Sequence, residues 1–201
     1  MEKFLIAGLG NPGKKYTFTR HNIGFRLLDN WLINSNPEQS EQSSTIFQKK
    51  YLAKTIKFKR GSKTIIAAKP QTFMNKSGFS IKSLQQYYKI NTNNILIIHD
   101  DLSFPIGKYK LSRNSGPAGH NGVKSIIEEL GDKNFNRLRI GIASIKDNCP
   151  VNHQSGHNFV LGKFSPEEEK IIESLLPKTV ELINYFIDYN FEETSNKFNG
   201  N

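Results

Sequence analysis

An α/β fold, a mixed β-sheet sandwiched by α-helices within a single domain, is predicted by three features of this chain. Strand-like apolar runs alternate with helical periods after an early hairpin. Asn11, Asn75 and Asp100 each follow a strand-like segment on a polar loop, and in α/β folds such loops gather on one rim of the sheet, where ligands bind. The 201 residues suffice for one substantial core, while no run approaches the ~18 apolar residues of a membrane span.

The elements follow in order. Residues 4–8 form a buried strand, and apolar residues at three- and four-residue spacings (Ile23, Leu27, Leu28, Trp31, Leu32) predict a helix over 22–33. The polar stretch 35–45 reads as a surface loop. Residues 47–58 and 64–68 pair as strands around a turn at Arg60-Gly61, and 71–78 is a polar loop. Ile81, Leu84, Tyr87 and Tyr88 mark a second helix, 95–98 a short buried strand, and 108–111 another. A glycine-rich loop then reaches Gly122, followed by a helix over 123–130, a strand over 138–142 and one more strand over 159–161. Ser165-Pro-Glu-Glu168 starts a helix: Ser165 caps, Pro166 fits the first turn and Glu168 completes a capping box. This helix is expected to kink near Pro177 and continue through Phe186. The catalytic domain is thus expected to span 1–190, with 191–201 a mobile C-terminal tail.

Gly8, Gly10 and Gly13 have the G-x-G-x-x-G spacing of a dinucleotide-binding loop, but their context argues against that use. The loop does not open a helix at once, and the nearest acid at a suitable distance, Asp29, falls inside a helix rather than at a strand end. The glycines instead turn the backbone sharply and carry Asn11 out of the sheet.

The charge balance is strongly basic. Lys plus Arg number 28 against 18 acids, a net charge of +10, with a mean hydropathy of -0.53. From Ser165 onward there are eight acids and three bases, so the first 164 residues carry 25 bases and 10 acids. Seven bases and no acid fall between Lys49 and Lys63. Such a body suits a polyanion, with nucleic acid ahead of an anionic membrane; solubility or genome bias explains many lysines equally well. Cys149 stands alone, which leaves no intrachain disulfide and no multi-cysteine zinc site. The N-terminus lacks the pattern of a signal peptide, and a cytoplasmic location is expected.

Five histidines supply candidate bases. His21 lies on a polar loop before a helix. His99 ends a buried strand and fits a core role equally well. His120 sits in a glycine-flanked loop. His153 and His157 read as loop residues rather than metal ligands. Asp100, at a strand end, has the chemistry to orient an imidazole, although an acid there is also an ordinary loop start. Alternation sends Asp100 and Asp101 to opposite faces, so a given histidine meets one of them. No serine fits a nucleophile elbow, and Cys149 precedes Pro150. A His–Asp pair without a nucleophile implies activated water, hence hydrolysis. Asn11, Asn75 and Asn121 add neutral donors for an oxyanion or a peptide, and each is also a common turn residue.

Several ordered segments together resemble the bacterial-type peptidyl-tRNA hydrolase family. They are Ile6-Ala-Gly-Leu-Gly-Asn-Pro-Gly13, Tyr16, Thr19-Arg-His-Asn-Ile-Gly24, Lys69-Pro-Gln-Thr-Phe-Met-Asn-Lys-Ser-Gly78, His99-Asp-Asp-Leu102, Gly119-His-Asn-Gly122, Arg137-Leu-Arg-Ile-Gly141 and Val160-Leu-Gly-Lys-Phe164. The resemblance implies a monomeric cytoplasmic esterase that releases peptides from tRNA without cofactor, metal or obligate protein partner. It makes His21 the base that takes a proton from water and Asp100 its orienting partner, with Asn11 selecting substrates whose amino group is blocked. Tyr16, Phe73, Met74, Asn75, His120 and Asn121 would line the groove for the peptide and the tRNA end. Lys110 and Arg139 would grip tRNA phosphates, with Lys108 and Lys124 nearby. Ser103-Phe104, Pro117 and a long segment over 144–157 depart from the family pattern. An RNA-binding protein of the same fold without hydrolysis is the alternative.

Overall fold

The computed structural model describes residues 1–35, 46–144 and 156–199. Cys149, His153 and most of the expected 35–45 loop lie outside them, as does the side chain of His157. Among the described residues, β1 (Lys3–Gly8), β2 (Ile46–Gln48), β3 (Ala53–Arg60), β4 (Lys63–Pro70), β5 (Ile95–Pro105), β6 (Tyr109–Ser112) and β7 (Asn136–Ala143) form one sheet ordered β2-β3-β4-β1-β5-β7-β6. The helices are α1 (Ile23–Ser35), α2 (Ser77–Tyr88), α3 (Asn121–Leu130), α4 (Gly156–Leu161), α5 (Pro166–Asp188) and α6 (Phe191–Phe198). The central strands β4, β1, β5 and β7 run parallel, while β2, β3 and β6 are antiparallel additions at the two flanks. None of these helices is long and apolar enough to cross a membrane.

The central strands read as continuous apolar runs because both faces of the sheet are covered. Along β1, Phe4 and Ile6 join the core beneath α1 and α5, whereas Leu5 and Ala7 join the core beneath α2 and α3. In β5, Leu96 and Ile98 alternate with Ile95 and Ile97 in the same way.

Gly8 and Gly24 set the closest approach between helix and sheet. A Cβ on Gly8 would lie 2.2 Å from the Gly24 carbonyl oxygen, and one on Gly24 would lie 2.4 Å from the Ile98 carbonyl oxygen. These contacts seat the start of α1 directly on the carboxyl end of β1 and on the middle of β5. That is where Asn11, His21 and Asp100 emerge.

Several expected elements change shape. The run 159–161 is not a strand but the end of α4, with Val160 packed into the core; three apolar residues cannot distinguish the two periods. A 3-10 turn at Lys49–Tyr51, closed by Leu52 in the left-handed region (φ 49), divides the expected 47–58 strand. Residues 71–78 include a 3-10 turn at Met74–Lys76 and the first turn of α2. β5 runs on through polar residues to Pro105, because pairing with β7 continues past the apolar stretch. The capping box of α5 forms, and the helix continues through Pro177. Residues 191–198, expected as a tail, form α6: Asn190 caps it, and Phe198 is buried against Tyr185 of α5.

Candidate active site

His21 stands in a single 3-10 turn, Arg20–Asn22, that precedes α1. Arg20 anchors this turn. It is buried, donates to Glu168 at 2.6 Å and to the Ile142 carbonyl at 3.1 Å, and its guanidinium lies over the rings of Phe159 and Phe164. Burial raises the Glu168 carboxyl, but the hydrogen bonds from Arg20 and the Ser165 backbone outweigh it, leaving it below the usual carboxylate range. The same glutamate thus caps α5 and fixes the residue beside His21.

Asp100 is 2 % exposed and receives two imidazoles. His21 Nδ1 lies 2.9 Å from both carboxylate oxygens, and His120 Nε2 lies 3.0 Å from Oδ1. Burial by itself raises the Asp100 carboxyl, but attraction to His21 and His120 and their hydrogen bonds outweigh it, so the group falls well below the ordinary carboxylate range. An ionised carboxylate accepts only, so each facing ring nitrogen carries a proton.

The tautomers follow. His120 is the N-cap of α3: its Nδ1 accepts from the backbone N–H groups of Gly122 (3.1 Å) and Val123 (3.2 Å). Its proton is therefore on Nε2, directed at Asp100. His21 has its proton on Nδ1, which leaves the lone pair of Nε2 as a base. The ligand atoms of His21, Asp100 and His120 lie within 4.8 Å of one another, close enough for a metal ion, but here the donors of the two rings are spent on the carboxylate.

His99 packs its ring against His120 at 4.7 Å and donates through Nδ1 to the Asp100 carbonyl at 2.6 Å. Its Nε2 is buried without a hydrogen-bond partner among the described residues, and burial, followed by the nearby His120, pushes the ring down to about 3. His99 is a neutral wedge behind His120. Asp101 points the other way, as strand alternation requires, and accepts from Arg139 Nε at 2.6 Å and Ser103 N at 2.8 Å.

Asn11 is fixed from both sides. Asn22, which the sequence reading passed over, clamps its backbone: Asn11 N–H donates to Asn22 Oδ1 (2.9 Å), and Asn22 Nδ2 donates to Asn11 O (3.0 Å). Asn11 Oδ1 accepts from Met74 N at 2.8 Å, so its amide presents Nδ2, a donor, to the groove. Its position directly after the candidate base, within Thr19-Arg-His-Asn-Ile-Gly24, was the signal available for Asn22.

The remaining candidates divide. Phe73 is 57 % exposed and meets Tyr16 edge to face at 6.5 Å. Asn75 and Asn121 are exposed, whereas Met74 is buried with its sulfur against Gly122. His120, expected to line the groove, instead supports Asp100, because its ring is held between the α3 N-terminus and that carboxylate. Arg139 and Lys110 face each other across β7 and β6, flanked by exposed Lys108; Lys124 is exposed on α3, 3.9 Å from Glu128. Arg137, buried on β7, holds the loop that delivers His120 by donating to the carbonyls of Ser115 and Gly116 at 2.7 and 2.9 Å.

Residues 5–201 match the sequence model of the family described as peptidyl-tRNA hydrolase. The chain belongs to the peptidyl-tRNA hydrolase family. It is 42% identical over 185 residues to a peptidyl-tRNA hydrolase of Lawsonia intracellularis, covering 92% of this chain and 87% of that one. With a peptidyl-tRNA hydrolase of Clostridium perfringens it shares 39% over 197 residues, 98% and 97% of the two chains. The crystal structure of peptidyl-tRNA hydrolase from Acinetobacter baumannii superposes with a TM-score of 0.85 at 28% identity, covering 98% of this chain and 94% of that one. The family and the α/β fold read from the sequence are both borne out.

Proposed function

We propose that this chain hydrolyses the ester joining a peptide to the 3'-terminal ribose of tRNA, using water activated by the His21–Asp100 pair. The observation that carries this reading is His21 Nδ1 held 2.9 Å from both oxygens of a buried carboxylate, with Nε2 left as the base.

Water gives a proton to His21 Nε2 as its oxygen bonds to the ester carbonyl carbon, and the carbonyl electrons move onto oxygen. Asp100 stabilises the imidazolium that forms. Asn11 Nδ2 is a neutral donor available to the acyl group, and such donors stabilise an oxyanion where charge develops. Collapse of the tetrahedral intermediate breaks the bond to the ribose oxygen, which takes the proton back from His21. Collapse leaves the peptide acid and tRNA, and the acid then loses its remaining proton to solvent as the free carboxylate.

The same Nδ2 accounts for selectivity. A blocked amino group offers an amide carbonyl that accepts from it, whereas a free ammonium offers only protons and charge. Tyr16, Phe73, Asn75 and Asn121 line the groove, and Arg139 with Lys110 receives tRNA phosphates. We further infer a monomer acting in the cytoplasm, which sedimentation and cell fractionation test.

The deciding experiment measures peptide release from N-acetyl-aminoacyl-tRNA against the unblocked aminoacyl-tRNA. Cleavage of the blocked substrate alone is expected. Tight tRNA binding without cleavage of either substrate would make the chain an RNA-binding protein on a hydrolase fold.

A further inference from the structure

Beside Asn11, on the α1 face of the sheet, lies a cavity of roughly 330 Å³ whose wall includes Asn11 and Asn22, so it adjoins the reacting centre. Lys14, Arg26, Lys54 and Lys69 line it, against the single lining carboxylate of Asp29. Asp29 pairs with Lys69, and Arg26 pairs with Glu169 of α5. Lys14 and Lys54 are exposed and have no ion-pair partner among the described residues.

Lys54 and Lys69 are directly opposite on the antiparallel pair β3–β4. Like charges in that register destabilise a sheet, and Asp29 relieves one of the two. A cost of this kind, kept at the wall of a cavity, is offset when an anion occupies the cavity.

The order of the strands indicates which anion. The reacting centre emerges from β1 and β5. On one side, β7 and β6 carry Arg139 and Lys110, the pair assigned to tRNA. The cavity lies on the other side, at β4 and β3. The acyl group and the ribose leave the ester carbonyl in opposite directions, so a tRNA held toward β7 and β6 sends the peptide toward β4 and β3.

We infer that this cavity is a subsite for an acidic side chain of the peptide, with Lys54 and Lys14 as its free cations. The inference rests on the hydrolase reading above and adds a substrate preference to it.

The test compares tRNAs carrying N-acetylated tripeptides with Glu or Gln at the first, second or third residue from the ester. Wild type is expected to show a kcat/KM about tenfold higher for Glu than Gln at one of these positions, the scale of one charge-assisted contact. In the double variant Lys14→Met/Lys54→Met the ratio should fall toward one, and Lys14→Arg/Lys54→Arg should retain it. Equal rates for Glu and Gln at every position in wild type overturn the proposal, as does a preference that survives the Met substitutions. An equal loss on both substrates, matched by weaker binding of deacylated tRNA, also overturns it and assigns the cavity to RNA phosphate. If wild type cleaves no substrate, the hydrolase reading fails separately. NMR titration with N-acetyl tripeptide amides then decides: Glu-specific shifts of the Lys14 and Lys54 side-chain signals support the subsite, and their absence overturns it.

Discussion

A single carboxylate, Asp100, sets the proton inventory of the site. It accepts from two histidines, and because His120 is committed through Nδ1 to the α3 N-terminus, only His21 retains a free lone pair facing the groove. His21→Ala is therefore expected to lower kcat by about 10²–10⁴-fold, the usual contribution of a general base, while tRNA affinity is retained. Single-turnover cleavage alongside filter binding checks this, and unchanged turnover would remove His21 from the chemistry. Asp100→Asn should cost about 10²-fold or more, since one imidazole then faces an N–H in place of an oxygen. His99 governs a different property. Its folded pKa of about 3 lies below the ordinary value of 6.5, so beneath pH 6.5 the unfolded chain binds a proton that the folded chain refuses. Stability contributed by this ring is complete above pH 6.5 and declines as pH falls. Between pH 7.5 and 5.5 the loss is on the order of 1 kcal/mol, or a few degrees in Tm for a chain of this size. Calorimetry should show this slope shrinking in His99→Asn. Asp100, Asp101 and Glu168, all lowered, act below their ordinary values near 4 and leave the window clear.

Among the elements, the contact of α1 with the end of β1 and the middle of β5 decides where His21 sits. Gly24 packs against main-chain oxygens of Ile98 and Leu9, which cannot move without displacing the strands. Gly24→Ala is expected to cost about 3 kcal/mol through overpacking. Because His21 lies three residues before Gly24, turnover should fall in parallel. Thermal unfolding and single-turnover cleavage measure the two effects together. Loss of stability with full turnover would show that the helix relaxes without carrying the base away.

For the whole molecule, the distribution of charge matters more than its total. The net charge of +10 is the sum of a basic body and an acidic segment beginning at α5. Of the like-charged cross-strand pairs among the described residues, Lys110 opposite Arg139 and Lys54 opposite Lys69 stand on opposite flanks of the reacting centre, while Arg60 opposite Lys63 closes the β3–β4 hairpin. Arg139 uses Nε for Asp101, which leaves its terminal nitrogens for phosphate. Arg139→Gln is expected to weaken tRNA binding and reduce the slope of log affinity against log salt by about 1, one phosphate contact. Affinity measured across a salt series tests it, and an unaltered slope would place Arg139 off the phosphate path.

Local pattern was enough for the apolar strands, the α5 capping box, the turn at Gly61 and the loop placement of Asn11 and His21, because each depends on neighbours within a few residues; Asp100, expected on a loop, lies within β5 because pairing with β7 carries the strand past it. The family followed from ordered motifs, and with it the expectation that His21 meets Asp100, 79 positions away. Local pattern misread what depends on distant partners. Residues 159–161 are helical because Val160 packs into the core, and residues 191–198 fold because Phe198 finds Tyr185. The resemblance placed His120 in the groove without showing that its Nε2 meets Asp100 while its Nδ1 caps α3; of the roles open to His99, the core role is the one found, because the sheet buries it. The cavity beside Asn11 is likewise a tertiary product. Lys14, Arg26, Lys54 and Lys69 are scattered along the sequence as ordinary surface cations, and only the pairing of β3 with β4 and the packing of α1 bring their charges to one wall. Sequence alone determined which groups are available; the tertiary contacts decided which proton, which face and which neighbour each one has.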